Sequence, residues 1–140
     1  MAGNNAEALK EFDRAISLNP LSPQHFADRA VVRGRLKDSK GAIDDTTEAL
    51  RLDPTHLQAL RSRAGERLVS GDPKGALEDF DRAIALAPDY PDSLLHRAII
   101  LAQTGEKKKA EQDLERVLQV APADWNRRGE VEIRLKDLRR

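Results

Sequence analysis

The sequence has no cysteine, so disulfides, thiolate metal sites and a cysteine nucleophile are excluded together, and the redox compartment is left open. Aromatic residues are scarce, at three Phe, one Tyr and one Trp, which leaves few rings on which single-stranded nucleic acid would stack. Net charge is absent too: 24 Lys and Arg balance 24 Asp and Glu, against the single-sign field of a dedicated nucleic-acid or membrane-surface binder. The longest apolar runs, such as AIILA at 98–102, fall far below the roughly 20 residues that span a bilayer. The opening MAGNNAEALKEFDR lacks the basic start and apolar stretch of a secretory signal, so the expected compartment is the cytoplasm. The histidines His25, His56 and His96 show no metal-ligand spacing, and no glycine-rich phosphate loop or nucleophile motif is present. No catalytic residue, cofactor or metal is expected, and the chain reads as a non-enzyme that binds neither nucleic acid nor membrane.

What is present is a period. Shifting the chain by 34 residues superposes ALKEFDRAISLNP from Ala8, AIDDTTEALRLDP from Ala42, ALEDFDRAIALAP from Ala76 and AEQDLERVLQVAP from Ala110. Each begins with alanine, carries Phe12, Thr46, Phe80 or Leu114 four residues later and Ala15, Ala49, Ala83 or Val117 seven later, which is one stripe of an α-helix. Each ends at a proline (Pro20, Pro54, Pro88, Pro122) that stops the helix. Between them lie three further helical segments sharing an Arg-Ala pair at 29 and 30, 63 and 64, and 97 and 98. Pro23, Pro73 and Pro91 fall in first helical turns, where the missing N–H is tolerated. Thr55 with Gln58 and Asn4 with Glu7 have capping-box spacing, and Gly71, Gly105 and Gly3 mark turns between helices. Small residues let the helix backbones approach while Phe12, Phe80 and Leu114 fill the space between turns. One such pair cannot bury its apolar face alone, so neighbours must stack.

These residues resemble the tetratricopeptide repeat (TPR) over essentially the whole chain. The family's small residue at position 8 falls on Ala30, Ala64 and Ala98, and its alanine at position 20 on Ala42, Ala76 and Ala110. Position 4 departs from the family's tryptophan, being Phe26, Leu60 and Leu94; position 7 is arginine each time, and position 11 is Arg33, Arg67 and Leu101. The resemblance implies an all-α fold, a right-handed α-solenoid of stacked helix-turn-helix repeats of 34 residues. It also implies a protein-interaction scaffold whose first helices line a concave groove. Carried over, the groove positions are Gln24, Ala27, Val31, Gly34 and Arg35, then Gln58, Arg61, Gly65, Leu68 and Val69, then Asp92, Leu95, Ile99, Ala102 and Gln103. Leu68, Leu95 and Ile99 would accept an apolar side chain of a bound segment, or else close the seam between repeats.

The family's clamp for a C-terminal carboxylate needs lysines, asparagines and an arginine at positions occupied here by Ala27, Val31, Ser62, Asp92 and His96. None matches, so chaperone tails are not expected as partners. The three first helices hold seven arginines against three acids, while the second helices hold fifteen acids against eleven bases. Either the groove is weakly basic and favours an acidic segment, or Arg29, Arg63 and Arg97 pair internally with Asp13, Asp45, Asp79 or Asp81; the regularity favours internal pairing, with Arg35 and Arg61 the better groove candidates.

The frame predicts one domain over 1–140: a second-helix half repeat (1–22), repeats at 23–56, 57–90 and 91–124, and a capping helix at 125–140 starting after Asp124. Counting back from Pro20 puts Met1 near the end of a first helix. Leu9, Phe12 and Ile16 would then have one face uncovered, a candidate surface for self-association or for joining further repeats if the chain is a fragment. In the capping helix Val131, Leu135 and Leu138 form the inner stripe, Glu132 replaces the small residue, and Trp125 packs at the junction.

Overall fold

The structure is a computed structural model that describes residues 2–140, the side chain of residue 2 excepted. The expectation for Met1 lies outside the described residues. Eight helices make up the described chain: α1 (Ala2–Leu18), α2 (Pro23–Arg35), α3 (Ser39–Leu52), α4 (Leu57–Val69), α5 (Pro73–Leu86), α6 (Pro91–Gln103), α7 (Lys107–Val120) and α8 (Arg128–Leu138). Two compact units are formed, Met1–Asp79 and Phe80–Arg140, with the division falling inside α5. In the first, α2 packs against α1, α3 and α4; in the second, α7 packs against α6 and α8.

Identical local chemistry ends each first helix. In α2, Lys37 N–H bonds Gly34 O and Asp38 N–H bonds Arg33 O; Gly71 and Asp72 do the same after α4, and Gly105 and Glu106 after α6. This is the paired closure that requires a left-handed residue, supplied by Lys37 (φ 62°), Gly71 (φ 83°) and Gly105 (φ 89°). Asp38 and Asp72 then cap the second helices by accepting from Gly41 and Gly75 N–H, both at 2.9 Å. A Cβ on either glycine would run into that carboxylate. Helices α1, α3 and α5 end two residues before Pro20, Pro54 and Pro88, and α7 two before Pro122, as the proline rule requires.

Four sequence expectations about helix ends and turns are corrected. Thr55 does not cap α4: His56 does, its Nδ1 accepting from Ala59 N–H at 3.2 Å, while Thr55 turns back to Asp53. Asn4 and Gly3 lie inside α1 and mark no helix start or turn. Asp124 does not cap α8, because residues 122–127 form turns and the helix begins at Arg128. There Arg128 reaches back to Leu118 O in the last turn of α7 at 3.1 Å and to Ala121 O just after it at 3.4 Å, and Arg127 pairs with Asp92. Those contacts fix α8 without a side-chain cap.

The core follows the predicted small and large positions. Ala30, Ala64 and Ala98 are buried, as are Ala42, Ala76 and Ala110, with Phe80, Leu114, Val131 and Leu135 filling the space beside them. Trp125 is half-buried.

Candidate functional site

The charge on the first helices is mostly consumed inside the repeats. Arg29 donates from Nε and Nη2 to the two oxygens of Asp45 at 2.9 and 2.7 Å; Arg63 forks Asp79 at 2.8 and 2.7 Å, and Arg97 forks Asp113 at 2.8 and 2.7 Å. The third guanidinium nitrogen reaches the preceding second helix: Arg29 to Asp13, Arg63 to Thr47, Arg97 to Asp81. The forks with Asp45 and Asp113 hold the Arg29 and Arg97 guanidinium groups above their ordinary pKa. Arg33 and Arg67, one turn on, add a second cation to Asp45 and Asp79, both at 3.0 Å. Five of the seven first-helix arginines are thus engaged in ion pairs within the repeats. The internal pairing of Arg29 and Arg63 is borne out, as is that of Arg97 with Asp81, but Asp113, which Arg97 forks, was not among the expected partners. The parts of Arg33 and Arg67 were missed, although their shared repeat position signalled them.

In the first unit the leading groove candidates hold one another. Gln24 Nε2 donates to Gln58 Oε1 and to Asp28 Oδ1, both at 2.8 Å, Gln58 Nε2 donates to Asp28 Oδ1 at 3.2 Å, and Gln24 Oε1 lies 3.0 Å from His56 Nε2. Because His56 Nδ1 accepts from Ala59 N–H, Nε2 carries the ring proton and donates to Gln24, which fixes both amide orientations. Arg35 and Val69 are exposed, and Val31, Arg61 and Leu68 are half-buried. Ala27 is fully buried and is corrected: a methyl with no exposed area offers nothing to a partner.

In the second unit Leu95 is corrected for the same reason, at 0 % exposure. Ser93, Leu94 and Leu95 are consecutive and all buried, which turns of about 100° per residue allow only when a helix is enclosed on more than one face. Leu95 therefore closes the packing, whereas Ile99 and Ala102 stay half-buried and Gln103 exposed. Asp92 is half-buried and engaged by Arg127 at 3.1 Å. Ile99 and Ala102, with Ala98, Leu114 and Leu138, line a cleft of about 260 Å³ together with Lys107, Arg134 and Asp137. That is below the roughly 300–1,000 Å³ of small-molecule sites, and suits a side chain of a bound segment.

The third surface is the free side of α1. Leu9, Phe12 and Ile16 are half-buried there, and Leu18 and Leu21 are 78 and 72 % exposed. Elsewhere, Arg139 of the basic tail is taken up by Glu111 and Glu115. Among the described residues no helix is long and apolar enough to cross a membrane, and no cluster of His, Asp and Glu is arranged to hold a metal.

Two models described as tetratricopeptide repeat match the sequence, one over residues 2–56 and one over 68–136. No curated protein sequence matches. Among solved structures, a tetratricopeptide repeat protein from Parabacteroides merdae is 22 % identical with a TM-score of 0.85, over 99 % of this chain and 55 % of that one. The MamA protein is 19 % identical with a TM-score of 0.80, over 99 % of this chain and 76 % of that one. The first TPR of Spaghetti, bound to an HSP90 peptide, is 20 % identical with a TM-score of 0.76, over 84 % of this chain and 90 % of that one. At these identities the likeness establishes the fold alone.

Proposed function

Because this chain belongs to the tetratricopeptide repeat family, an all-α helical-repeat fold of the solenoid class, we propose that it is a non-catalytic scaffold that binds a segment of another protein along its first helices. The observation that carries the reading is the cleft lined by Ile99, Ala102 and Leu138 among others. An apolar side chain entering it loses water against Ala98, Ile99, Ala102, Leu114 and Leu138, while an acidic neighbour in the same segment meets Lys107 and Arg134, which outnumber Asp137. Arg134 is already paired with Glu130, so Lys107 contributes the more available charge.

The preferred ligand is therefore an extended or helical segment with one large apolar anchor and an adjacent acid. Gln103, exposed on the same helix as Ile99, supplies a polar contact beside the cleft. Nucleic acid and membrane are not proposed partners, and a chaperone tail gripped through its C-terminal carboxylate is a poor one. The repeat frame proposed for this scaffold is a half repeat at 1–22, repeats at 23–56, 57–90 and 91–124, and a cap at 125–140.

Selecting a displayed peptide library on the intact chain tests this. Selected peptides should share the apolar-acidic pair and lose affinity on Ile99→Asp or Leu138→Asp by about 1 to 3 kcal/mol. A library that yields no common motif, or ligands indifferent to both substitutions, would remove the cleft from consideration.

A further inference from the structure

Arg134 lines the cleft from α8, at the repeat position that holds the buried Val32 and Ile100 in α2 and α6. Its side chain is 42 % exposed, so it does not replace them in packing. Arg134 Nε donates to Glu130 Oε1 at 3.0 Å, and Nη2 lies 3.0 Å from the same oxygen. The Nε and Nη2 edge is the one with which Arg29, Arg63 and Arg97 fork a carboxylate. In Arg134 that edge is already occupied.

Glu130 serves a second arginine. Its Oε2 accepts from Arg127 Nε at 3.0 Å, and Arg127 Nη1 reaches Asp92 Oδ1 on α6 at 3.1 Å. Asp92, Arg127, Glu130 and Arg134 thus form a row of alternating sign that starts in the first turn of α6 and ends at the cleft. The two arginines hold the Glu130 carboxyl below the usual carboxylate range, Arg127 contributing most, so it stays ionised at neutral pH. Around the cleft Glu130 and Asp137 then balance Arg134 and Lys107. Lys107 has no ion-pair partner among the described residues, because Glu106 is taken by Lys109.

On the reading that the cleft is the binding site, we propose that Glu130 sets how strongly it selects an acidic neighbour, by occupying the edge of Arg134 that a ligand carboxylate would fork. With Glu130 in place the ligand acid is met by Lys107, a point charge that accepts a carboxylate in many directions. With Arg134 released, two parallel bonds fix the direction of the acid and its distance from the apolar anchor. Arg127 acts against the competition. It draws on the same carboxylate, so its loss leaves Glu130 to Arg134 alone. A pair four residues apart with this exposure changes an equilibrium constant by at most about fivefold, so a ligand acid can displace it.

The probe is a peptide selected from the displayed library on the intact chain, made once with its acid and once with that acid replaced by the corresponding amide, and titrated by fluorescence anisotropy. The ratio of the two affinities cancels effects common to both peptides. Glu130→Gln should raise this ratio about two- to fivefold and Arg127→Gln should lower it, while neither should move it in a chain that also carries Arg134→Gln. Lys107→Gln should bring the ratio of the otherwise unchanged chain close to one. Unchanged thermal midpoints verify the fold of each variant. A Glu130 that only holds α8 in place would alter both affinities alike; a constant ratio therefore overturns the proposal, as does an effect of Glu130→Gln that persists beside Arg134→Gln. Selected peptides with an apolar anchor and no acid overturn it as well. Peptides that lose affinity on Ile99→Asp while their ratio ignores Glu130→Gln leave the cleft standing and remove this inference alone; a library without a common motif removes both.

Discussion

Arg63 and Asp79 form a buried two-pronged ion pair, with bonds of 2.8 and 2.7 Å and side chains only 11 and 1 % exposed. Arg63→Ala leaves the carboxylate buried, with Arg67 as its remaining cation. The expected loss is about 3 kcal/mol, the low end for breaking a buried pair. Combining it with Asp79→Leu removes the orphaned charge, so the double variant should unfold in urea at a higher concentration than Arg63→Ala alone. A double variant no more stable than the single one would show that the pair does not act as a unit.

Phe80 lies stacked on His96, ring centroids 5.6 Å apart, and is 3 % exposed. Truncation to alanine should cost about 3 to 5 kcal/mol by leaving a cavity, and Ala64→Leu about 1 to 3 kcal/mol by overpacking a site with no exposed area. Phe12→Ala, at the same repeat position but half-buried, should cost clearly less than Phe80→Ala in parallel denaturation curves.

Lys37 holds a left-handed backbone where the other two repeats have glycine. Lys37→Gly relieves the steric cost but loosens the unfolded chain, for a net gain of about 0.5 kcal/mol. Gly71→Ala, in the opposite sense, should lose about 1 kcal/mol. Calorimetric midpoints moving in the same direction for both substitutions would contradict this account of the turns.

His56 caps α4 and donates to Gln24. His56→Ala should lose about 1 kcal/mol, whereas His56→Asn, whose side-chain oxygen also accepts at a helix start, should retain most of it. Amide exchange at Ala59 reads the cap directly: faster in His56→Ala, near wild type in His56→Asn.

The positions that would grip a terminal carboxylate are Ala27, Val31, Ser62, Asp92 and His96, and Ala27 is buried while Asp92 is held by Arg127. The HSP90 peptide SRMEEVD, bound by the structurally similar first TPR of Spaghetti, should therefore show no saturable binding here up to millimolar concentration. Calorimetric titration yielding micromolar affinity would refute this.

Much of the fold was legible because it repeats. A single amphipathic helix is weak evidence, but Ala30, Ala64 and Ala98 returning in phase with Ala42, Ala76 and Ala110 specifies which faces approach. That Arg29, Arg63 and Arg97 pair inside the repeats was legible on the same ground, although Asp113 as the forked partner of Arg97 was not. Helix caps were less so, because Thr55 and His56 are adjacent and both can accept from a backbone N–H; which one does depends on the turn that follows Pro54.

By itself, then, the sequence determined the helices, their order, the 34-residue period and the small-against-large packing, since these follow from local periodicity, proline and glycine. Only the tertiary structure decided which of the candidate residues are exposed and which are sealed. Leu95 and Ile99 sit one turn apart with the same apolar character, yet one is sealed and the other lines a cleft. The difference lies in how closely neighbouring helices approach each face, which no pattern along one chain records.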